Sequence, residues 1–233
     1  MRQYIESIPP VTKHLLIINV LMWFATLAIG VNPATGDYKL VEWMGLHIIG
    51  AEQFNVAQLV TYMFLHDPSS FSHVFFNMFS VFMFGRTLEM VWGSKRFLFY
   101  YITTGLGAGL IQEAAWYVEL GSAIQHDVAL VGWGEMSKIL NGVITIGASG
   151  AVFGILLAFG MLFPNTPLYL MFIPIPIKAK WFVLGYGVIE LFLGVSASSD
   201  GIAHFAHLGG MLVGIILILY WRKKGIGNGG YYG

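Results

Sequence analysis

The sequence predicts an all-α membrane protein, built as a bundle of six transmembrane helices. Of its 233 residues, 57% are hydrophobic and 10% are charged, whereas soluble domains carry roughly 25% charged residues. Several apolar runs approach the roughly 20 residues needed to cross about 30 Å of hydrocarbon. Cysteine is absent, which excludes disulfides and thiol chemistry. Residues 1–233 fit a single membrane domain.

Six apolar segments form the predicted spans. They cover residues 13–31, 69–91, 96–117, 145–163, 180–197 and 202–221. Turn formers at residues 32–37 end the first span. Residues 38–66 are too rich in polar side chains to span, and they are predicted to form a long interfacial loop with amphipathic pieces. Residues 118–141 are predicted to be a polar loop, residues 173–176 an extended connector, and residues 225–233 a flexible glycine-rich tail.

The distribution of basic residues predicts the orientation. With the N-terminus inside, ten lysines and arginines fall in cytoplasmic segments, and only Lys39 and Lys138 fall on the other side. This positive-inside bias agrees with an even number of spans. Both termini are therefore expected in the cytoplasm, and the compact form favours a bacterial plasma membrane.

Spans two, four and six descend from the outer side, and each carries polar side chains near its start. At about 1.5 Å per residue, His73, Ser149 and His207 reach one level, about 10 Å below the outer face of the core. Asn77 lies one turn deeper, on the same helix face as His73. Small residues at four-residue spacing let membrane helices approach closely. They are Gly150, Gly154 and Ala158 in span four, and Ala206, Gly210 and Gly214 in span six.

A hydroxyl and an imidazole at one depth are the parts of a serine hydrolase. Ser149 is the candidate nucleophile and His207 the candidate general base. The Ser149 backbone N–H and the side chains of His73 and Asn77 are candidate donors to an oxyanion. Since no Asp or Glu is evident near His207 at this depth, the residues favour a dyad over a triad.

Other interpretations stay open at this point. A serine between glycines is more often a packing residue. His204 and His207 could bind a metal together with His73, but no zinc-protease motif is present and no carboxylate joins them, so no metal or other cofactor is expected. Glu113 and Glu190 lie inside spans three and five without an evident partner, and they leave open an ion or small-molecule transporter.

At these residues the chain closely resembles the rhomboid family of intramembrane serine proteases. The matching motifs are residues 72–77 (SHVFFN), 89–97 (EMVWGSKRF), 147–154 (GASGAVFG) and 203–210 (AHFAHLGG) with Gly214. They lie within residues 60–221 in the order and spacing of the family. Each motif alone is weak, but the combination is highly specific.

The resemblance implies a rhomboid-like bundle with a Ser149–His207 dyad, in which His73 and Asn77 aid the oxyanion. Gly147 precedes the serine in its motif and is a supporting residue. A second supporting residue is Phe153, one turn after the serine, at a position where the family packs an aromatic ring on the catalytic histidine.

The resemblance also implies substrates that are single-span membrane proteins. They would be cut near the outer face of the lipid bilayer, after a small residue, and nucleic acid would not be a partner. Span five and the loop at residues 196–201 would form a lateral gate. The alternative is a protein with the same fold that binds membrane proteins without cleaving them, as inactive members of the family do. One departure is that the first long loop lacks the Trp-Arg pair of many relatives, which leaves the anchoring of that loop open.

Overall fold

A computed structural model describes residues 8–170, 173–196 and 203–225. Its elements in chain order are α1 (Pro10–Ile29), α2 (Lys39–Met44), β1 (Leu46–His47), α3 (Gln58–Thr61), a 3-10 turn (Tyr62–Phe64), α4 (Phe71–Ser80), a π-helical stretch (Val81–Gly85), α5 (Arg86–Trp92), α6 (Ser94–Val131), α7 (Trp133–Ile139), a second 3-10 turn (Leu140–Gly142), β2 (Ile144–Thr145), α8 (Ser149–Leu162), β3 (Pro167–Leu170), β4 (Ile173–Lys178), α9 (Ala179–Val195) and α10 (His204–Lys223).

The architecture is a bundle of apolar helices, as the composition predicts. Among the described residues, three helices are long and apolar enough to cross a membrane, namely Pro10–Ile29, Phe71–Trp92 and His204–Lys223. The first and third are α1 and α10, and the second combines α4, the π-helical stretch and α5. The prediction of a helical membrane bundle is confirmed, while the count of six spans stays a prediction.

Helix α10 lies at the centre of the bundle, where it packs against α6, α8 and α9. The core between them holds large side chains with no exposed surface, such as Phe97, Tyr100 and Ile155. The Tyr100 hydroxyl donates to the Gly154 carbonyl at 2.8 Å, which satisfies the only polar atom of that side chain. The core therefore fixes α8 and α10 side by side.

The first long loop folds into the bundle and does not merely lie on its surface. Leu46 in β1 pairs with Thr145 in β2, directly before the segment that carries Ser149. The Tyr62 carbonyl accepts the Gly147 N–H at 3.0 Å, and the buried Tyr62 hydroxyl donates to the Gly105 carbonyl at 2.8 Å. The loop thus holds the entry to α8 in place.

The predicted polar loop at residues 118–141 is wrong, because the helix continues past residue 117, where the end of membrane span three stays a prediction. Helix α6 is 38 residues long and reaches Val131, and α7 follows almost at once. Loss of the apolar pattern does not end a helix, because residues 118–131 contain no proline and are rich in good helix formers. At about 1.5 Å per residue the helix measures about 57 Å, so its second half extends beyond the hydrocarbon.

The predicted connector at residues 173–176 is extended, but it belongs to a hairpin. Strand β4 pairs antiparallel with β3, with Pro167 opposite Lys178 and Leu168 opposite Ile177. Two other predictions fall largely on residues outside the described ranges. They are the loop at 196–201, of which 197–201 are not described, and the tail at 225–233, of which 226–233 are not described.

A buried carboxylate joins three helices at one end of the bundle. Glu89 of α5 accepts the Val11 and Thr12 backbone N–H groups at 2.9 and 2.7 Å. It also accepts the Thr12 hydroxyl and the Ser94 hydroxyl, each at 2.7 Å. Gly93, with φ 78°, makes the turn between α5 and α6 that a side chain would strain. This network gives the motif at residues 89–97 its physical role.

Candidate active site

Ser149 is the first residue of α8 and follows an unusual turn. Gly147 has φ 135°, a conformation that L side chains rarely adopt. The turn lets the chain leave β2 and start α8 within a few residues. Because the first N–H groups of a helix have no partner within that helix, the Ser149 hydroxyl lies next to backbone donors.

His207 lies in the first turn of α10, and its imidazole faces Ser149. The distance from His207 Nε2 to Ser149 Oγ is 2.8 Å, which is a normal hydrogen bond to a hydroxyl. Gln112 of α6 fixes the start of α10, because its Oε1 accepts the Ala206 N–H at 3.2 Å. His207 itself is buried.

The small residues of the two helices make this distance possible. A Cβ atom on Gly210 would lie 1.8 Å from the Gly150 carbonyl oxygen, so α8 and α10 touch backbone to backbone there. An added Cβ atom on Gly154 would meet Thr104 of α6, and one on Gly214 would meet Tyr100 of α6 and Leu157 of α8. The glycines thus pack three helices around the site.

An aromatic ring covers the histidine. The ring of Phe153 stacks on that of His207 with a centroid distance of 4.2 Å and an interplanar angle of 7°. Phe153 lies four residues after Ser149 in α8, so both side chains project from one face of the helix. The stacked ring fixes the plane of the imidazole that contacts the serine.

His73 of α4 lies on the other side of the serine, in a defined hydrogen-bonding state. Its Nδ1 accepts the Asp67 N–H at 3.2 Å, so a neutral ring carries its proton on Nε2. A Cβ atom at Gly147 would lie 3.0 Å from His73 Nε2 and 3.4 Å from Ser149 Oγ. The missing side chain of Gly147 therefore leaves a space between a nucleophile and an N–H donor.

Asn77 lies one turn further along α4 and is buried. Its side-chain amide donates to the His73 carbonyl at 2.8 Å. An amide has two N–H donors, so one of them is left for another acceptor.

His66 packs edge-on against His73, with ring centroids 5.1 Å apart. It has no exposed surface, and neither ring nitrogen has a hydrogen-bond partner among the described residues. Burial, with a smaller contribution from neighbouring His73, lowers the pKa of His66 to about 3. His66 is therefore an uncharged side chain that lines the site.

The expectation that no carboxylate lies near His207 is wrong. Glu190 of α9 brings Oε2 to 2.9 Å from His207 Nδ1 and to 2.7 Å from His204 Nδ1. The three side chains, which we call the Glu190 cluster (Glu190, His204 and His207), are all buried. Sequence reasoning missed the contact because it compared depths only on the descending helices.

Glu113 also has a partner that was not expected. Its Oε2 accepts the Ile49 N–H at 2.9 Å, so this carboxylate of α6 anchors the first long loop. Neither Glu113 nor Glu190 is the isolated membrane carboxylate that the transporter interpretation assumed.

The Glu190 cluster is also the group of described residues that could hold a metal ion. One ligand atom from each of its members lies within 4.8 Å of the others, and a carboxylate does join the histidines, contrary to expectation. His73 does not belong to this group. The His207 Nε2 atom is directed at Ser149, so an ion would have to use the opposite side of that ring.

The geometry of these residues suits acyl transfer. A hydroxyl contacts an imidazole, and an N–H donor faces the space beside the hydroxyl. A buried carboxylate contacts the other nitrogen of the imidazole. Nucleophile, base and oxyanion donor are the groups such a reaction needs.

Comparison with known proteins agrees with this chemistry. A family model described as a rhomboid domain matches residues 53–224. Rhomboid protein 1, mitochondrial, of Saccharomyces cerevisiae is 29% identical over 153 residues, which are 66% of this chain and 39% of that protein. Rhomboid-like protein 11, chloroplastic, of Arabidopsis thaliana is 26% identical over 227 residues, covering 88% of this chain and 66% of that protein. Rhomboid protease AarA of Providencia stuartii is 26% identical over 164 residues, covering 66% of this chain and 52% of that protein. The chain thus spans from about two fifths to two thirds of the length of these relatives.

Proposed function

The chain belongs to the rhomboid family, and from that premise we propose that it is an intramembrane serine endopeptidase with Ser149 as nucleophile and His207 as base. The observation that carries the proposal is the 2.8 Å contact between Ser149 Oγ and His207 Nε2 inside a bundle of apolar helices. Relatives that are named as rhomboid proteases, from Providencia stuartii and Bacillus subtilis, support the same reaction class.

The reaction would proceed through an acyl-enzyme. Ser149 Oγ attacks the peptide carbonyl carbon as its proton moves to His207 Nε2, and the carbonyl π electrons move to the oxygen. When the C–N bond breaks, His207 gives the proton to the leaving amine. Water then attacks the acyl carbon as its proton moves to the same nitrogen, and His207 returns that proton to Ser149 Oγ when the acyl bond breaks.

The oxyanion would occupy the space that Gly147 leaves open. The His73 Nε2–H group faces this space, and the Ser149 backbone N–H lies at the helix start beside it. The second N–H of Asn77 is a further donor. Removing one such donor typically costs about 10²–10³ in rate, so His73 and Asn77 are proposed to act on turnover.

We propose that the substrates are single-span transmembrane proteins, cut near the extracytoplasmic face of the bilayer. A face of α9 is apolar and exposed, with Leu184, Val188 and Phe192 each more than half exposed. A substrate helix in the bilayer would meet this face first. A lateral gate formed by α9 and the loop at residues 196–201 is part of the proposal, although residues 197–202 lie outside the described ranges.

The chain is an integral membrane protein. The positive-inside bias supports the further proposal that both termini face the cytoplasm. In that orientation Ser149 lies nearer the outer face of the membrane. We propose a bacterial plasma membrane as the location, where substrates would reach the site from the outer side.

The decisive experiment is cleavage of a single-span substrate in proteoliposomes, together with labelling by a serine-directed fluorophosphonate. The wild type is expected to cleave and to be labelled, and Ser149→Ala to do neither. Ser137→Ala is the matched control, because Ser137 is a half-buried serine of α7 whose hydroxyl donates to the Gly134 carbonyl at 3.0 Å and does not contact His207, so its loss should change neither result. Equal cleavage by the wild type and Ser149→Ala would refute the assignment.

The alternatives give different outcomes in the same system. A non-catalytic binder would associate with the substrate without cleaving it. A transporter would show solute uptake that depends on Glu113 or Glu190 and not on Ser149. Either outcome would replace the proposed function.

A further inference from the structure

One carboxylate oxygen of α9 lies between two imidazoles of α10. Glu190 Oε2 is 2.9 Å from His207 Nδ1 and 2.7 Å from His204 Nδ1. On the far side of the His207 ring, Nε2 is 2.8 Å from Ser149 Oγ. The order carboxylate, imidazole, hydroxyl therefore runs across three helices.

We propose that Glu190 is a positioning residue that turns the Ser149–His207 pair into a triad. This inference rests on the proposed protease function and deepens it. The carboxylate would keep the His207 proton on Nδ1, which leaves Nε2 free to accept the proton of Ser149. It would also stabilise the imidazolium that forms when Ser149 attacks.

Burial explains why a carboxylate at this place acts on His207. Glu190 is 7% exposed, and the two histidines are similarly buried, so water contributes little to its solvation. A buried carboxylate is costly unless it is paired and hydrogen-bonded. The His204 Nδ1–H group donates to Glu190 Oε2 at 2.7 Å, whereas His207 Nδ1 lies 2.9 Å from the same oxygen without the alignment of a hydrogen bond. The contact with His207 is therefore electrostatic, and a positive charge that forms on His207 during the reaction would strengthen it.

The proton transfers stay balanced with Glu190 in this role. In acylation the Ser149 proton moves to His207 Nε2 and then to the leaving amine. In deacylation a proton of water moves to His207 Nε2 and then to Ser149 Oγ as the acyl bond breaks. Glu190 keeps its negative charge throughout. It exchanges no proton with the substrate, so it acts only through His207.

His204 shares the carboxylate and explains its placement. Its Nδ1–H group donates a hydrogen bond to Glu190 Oε2 at 2.7 Å. This bond holds the carboxylate at the end of α9 that faces α10. Among the described residues, the other groups beside His207 that can exchange a proton are His73 of α4 and Ser149 itself, and neither can replace a negative charge at Nδ1.

The test compares Glu190→Gln with Glu190→Asp. Glutamine keeps the size and one oxygen acceptor but removes the charge, whereas aspartate keeps the charge and withdraws it by one methylene. Glu190→Gln is expected to lower kcat by up to about 10⁴-fold, the loss when a triad carboxylate becomes an amide, with KM little changed. Glu190→Asp is expected to retain more activity than Glu190→Gln.

Fluorophosphonate labelling separates positioning from folding. In Glu190→Gln the rate constant of labelling should fall in parallel with kcat, while the final fraction of labelled enzyme stays at the wild-type level. A role in folding alone would lower the final fraction and leave the rate constant unchanged, and this would overturn the proposal.

Glu113→Gln is the matched control. Glu113 is also 7% exposed and accepts the Ile49 N–H, but it contacts the loop and not His207. Because glutamine keeps an oxygen that can accept the Ile49 N–H, the loop stays anchored, and the labelling rate of Glu113→Gln should stay within about threefold of the wild type.

Each outcome separates this inference from the function on which it rests. If the wild type neither cleaves nor is labelled, the proposed function fails. If the wild type is active and Glu190→Gln labels at the wild-type rate, only the triad fails. Should Glu190→Gln not fold, a wild-type labelling rate in Glu190→Asp would overturn the proposal, and a reduced rate with a full final fraction would support it.

Discussion

The closest backbone contact of the site allows a quantitative prediction for Gly210→Ala. The new Cβ atom would lie 1.8 Å from the Gly150 carbonyl oxygen, whereas ordinary contacts begin at 3.4 Å. To restore that spacing, α8 and α10 must move apart by the difference, about 1.6 Å. The neighbouring Ser149 and His207 lie on these two helices, so their 2.8 Å contact would lengthen beyond hydrogen-bonding distance.

A displacement of about 1 Å in a catalytic group can cost about 10²-fold in rate. Gly210→Ala is therefore expected to lower kcat for a reconstituted single-span substrate by about that factor or more. The control is Gly185→Ala in α9, because a Cβ atom there would meet no atom of the described residues within 4 Å. Wild-type turnover by Gly210→Ala, in protein that unfolds at the wild-type temperature, would show that the helices tolerate the atom and refute this reasoning.

The remaining predictions concern the surroundings of the serine. His73→Ala and Asn77→Ala should each lower kcat more than they raise KM, by about 10²–10³ for His73, and an effect on KM alone would contradict the oxyanion role. Because the pKa of His66 is lowered to about 3, the unfolded chain binds a proton that the folded chain does not between that pH and about 6.5. Stability should then fall as the pH drops through this range, by up to about 1.4 kcal/mol per pH unit. Thermal unfolding in detergent near neutral pH and near pH 4.5 should show a smaller decrease for His66→Phe than for the wild type, and equal decreases would place the titration elsewhere. Finally, cleavage should persist in a chelator such as EDTA, whereas a loss that zinc restores would make the Glu190 cluster a metal site.

Much of the site was accessible from the sequence because membrane helices impose a depth scale. Rise per residue and the positive-inside bias bring Ser149, His73 and His207 to one level without any structure. The stacking of Phe153 on His207 was expected from the family resemblance, and it agrees with helical periodicity, which puts Phe153 and Ser149 on one helix face. Depth along the membrane normal does not tell which neighbouring helix a residue faces. The spacing suggested contact between spans four and six at Gly154, but a Cβ atom there would meet Thr104 of α6.

Glu190 was missed although the same scale applies to it. It lies five residues before the end of α9 at Val195, about 7.5 Å along the helix. His207 lies three residues into α10, about 4.5 Å from its start. Comparing ascending with descending helices would have placed the two at nearly one level. A carboxylate inside a span is costly unless it has a partner, and that cost was the signal that pointed to a nearby histidine.

The extent of α6 and the depth of the first long loop were not predictable in the same way. Hydropathy reports where the bilayer ends, and it carries no signal for where a helix ends, so residues 118–131 were assigned to a loop. Residues 38–66 were judged interfacial because polar side chains interrupt them. Yet Leu46, Met63 and Leu65 are fully buried. They pack against the helices one by one, although the segment has no continuous apolar run.

The buried loop is what allows irregular backbone beside the serine. Inside hydrocarbon, backbone that is not helical is tolerated only where protein or a water-filled cavity satisfies its polar groups. The segment before α8 meets that condition through its pairing with β1 and through the Gly147 N–H, which donates to the Tyr62 carbonyl. Without these contacts the turn at Gly147 would leave unpaired donors, and α8 could not begin at Ser149. The loop and the helices therefore determine the position of the nucleophile together.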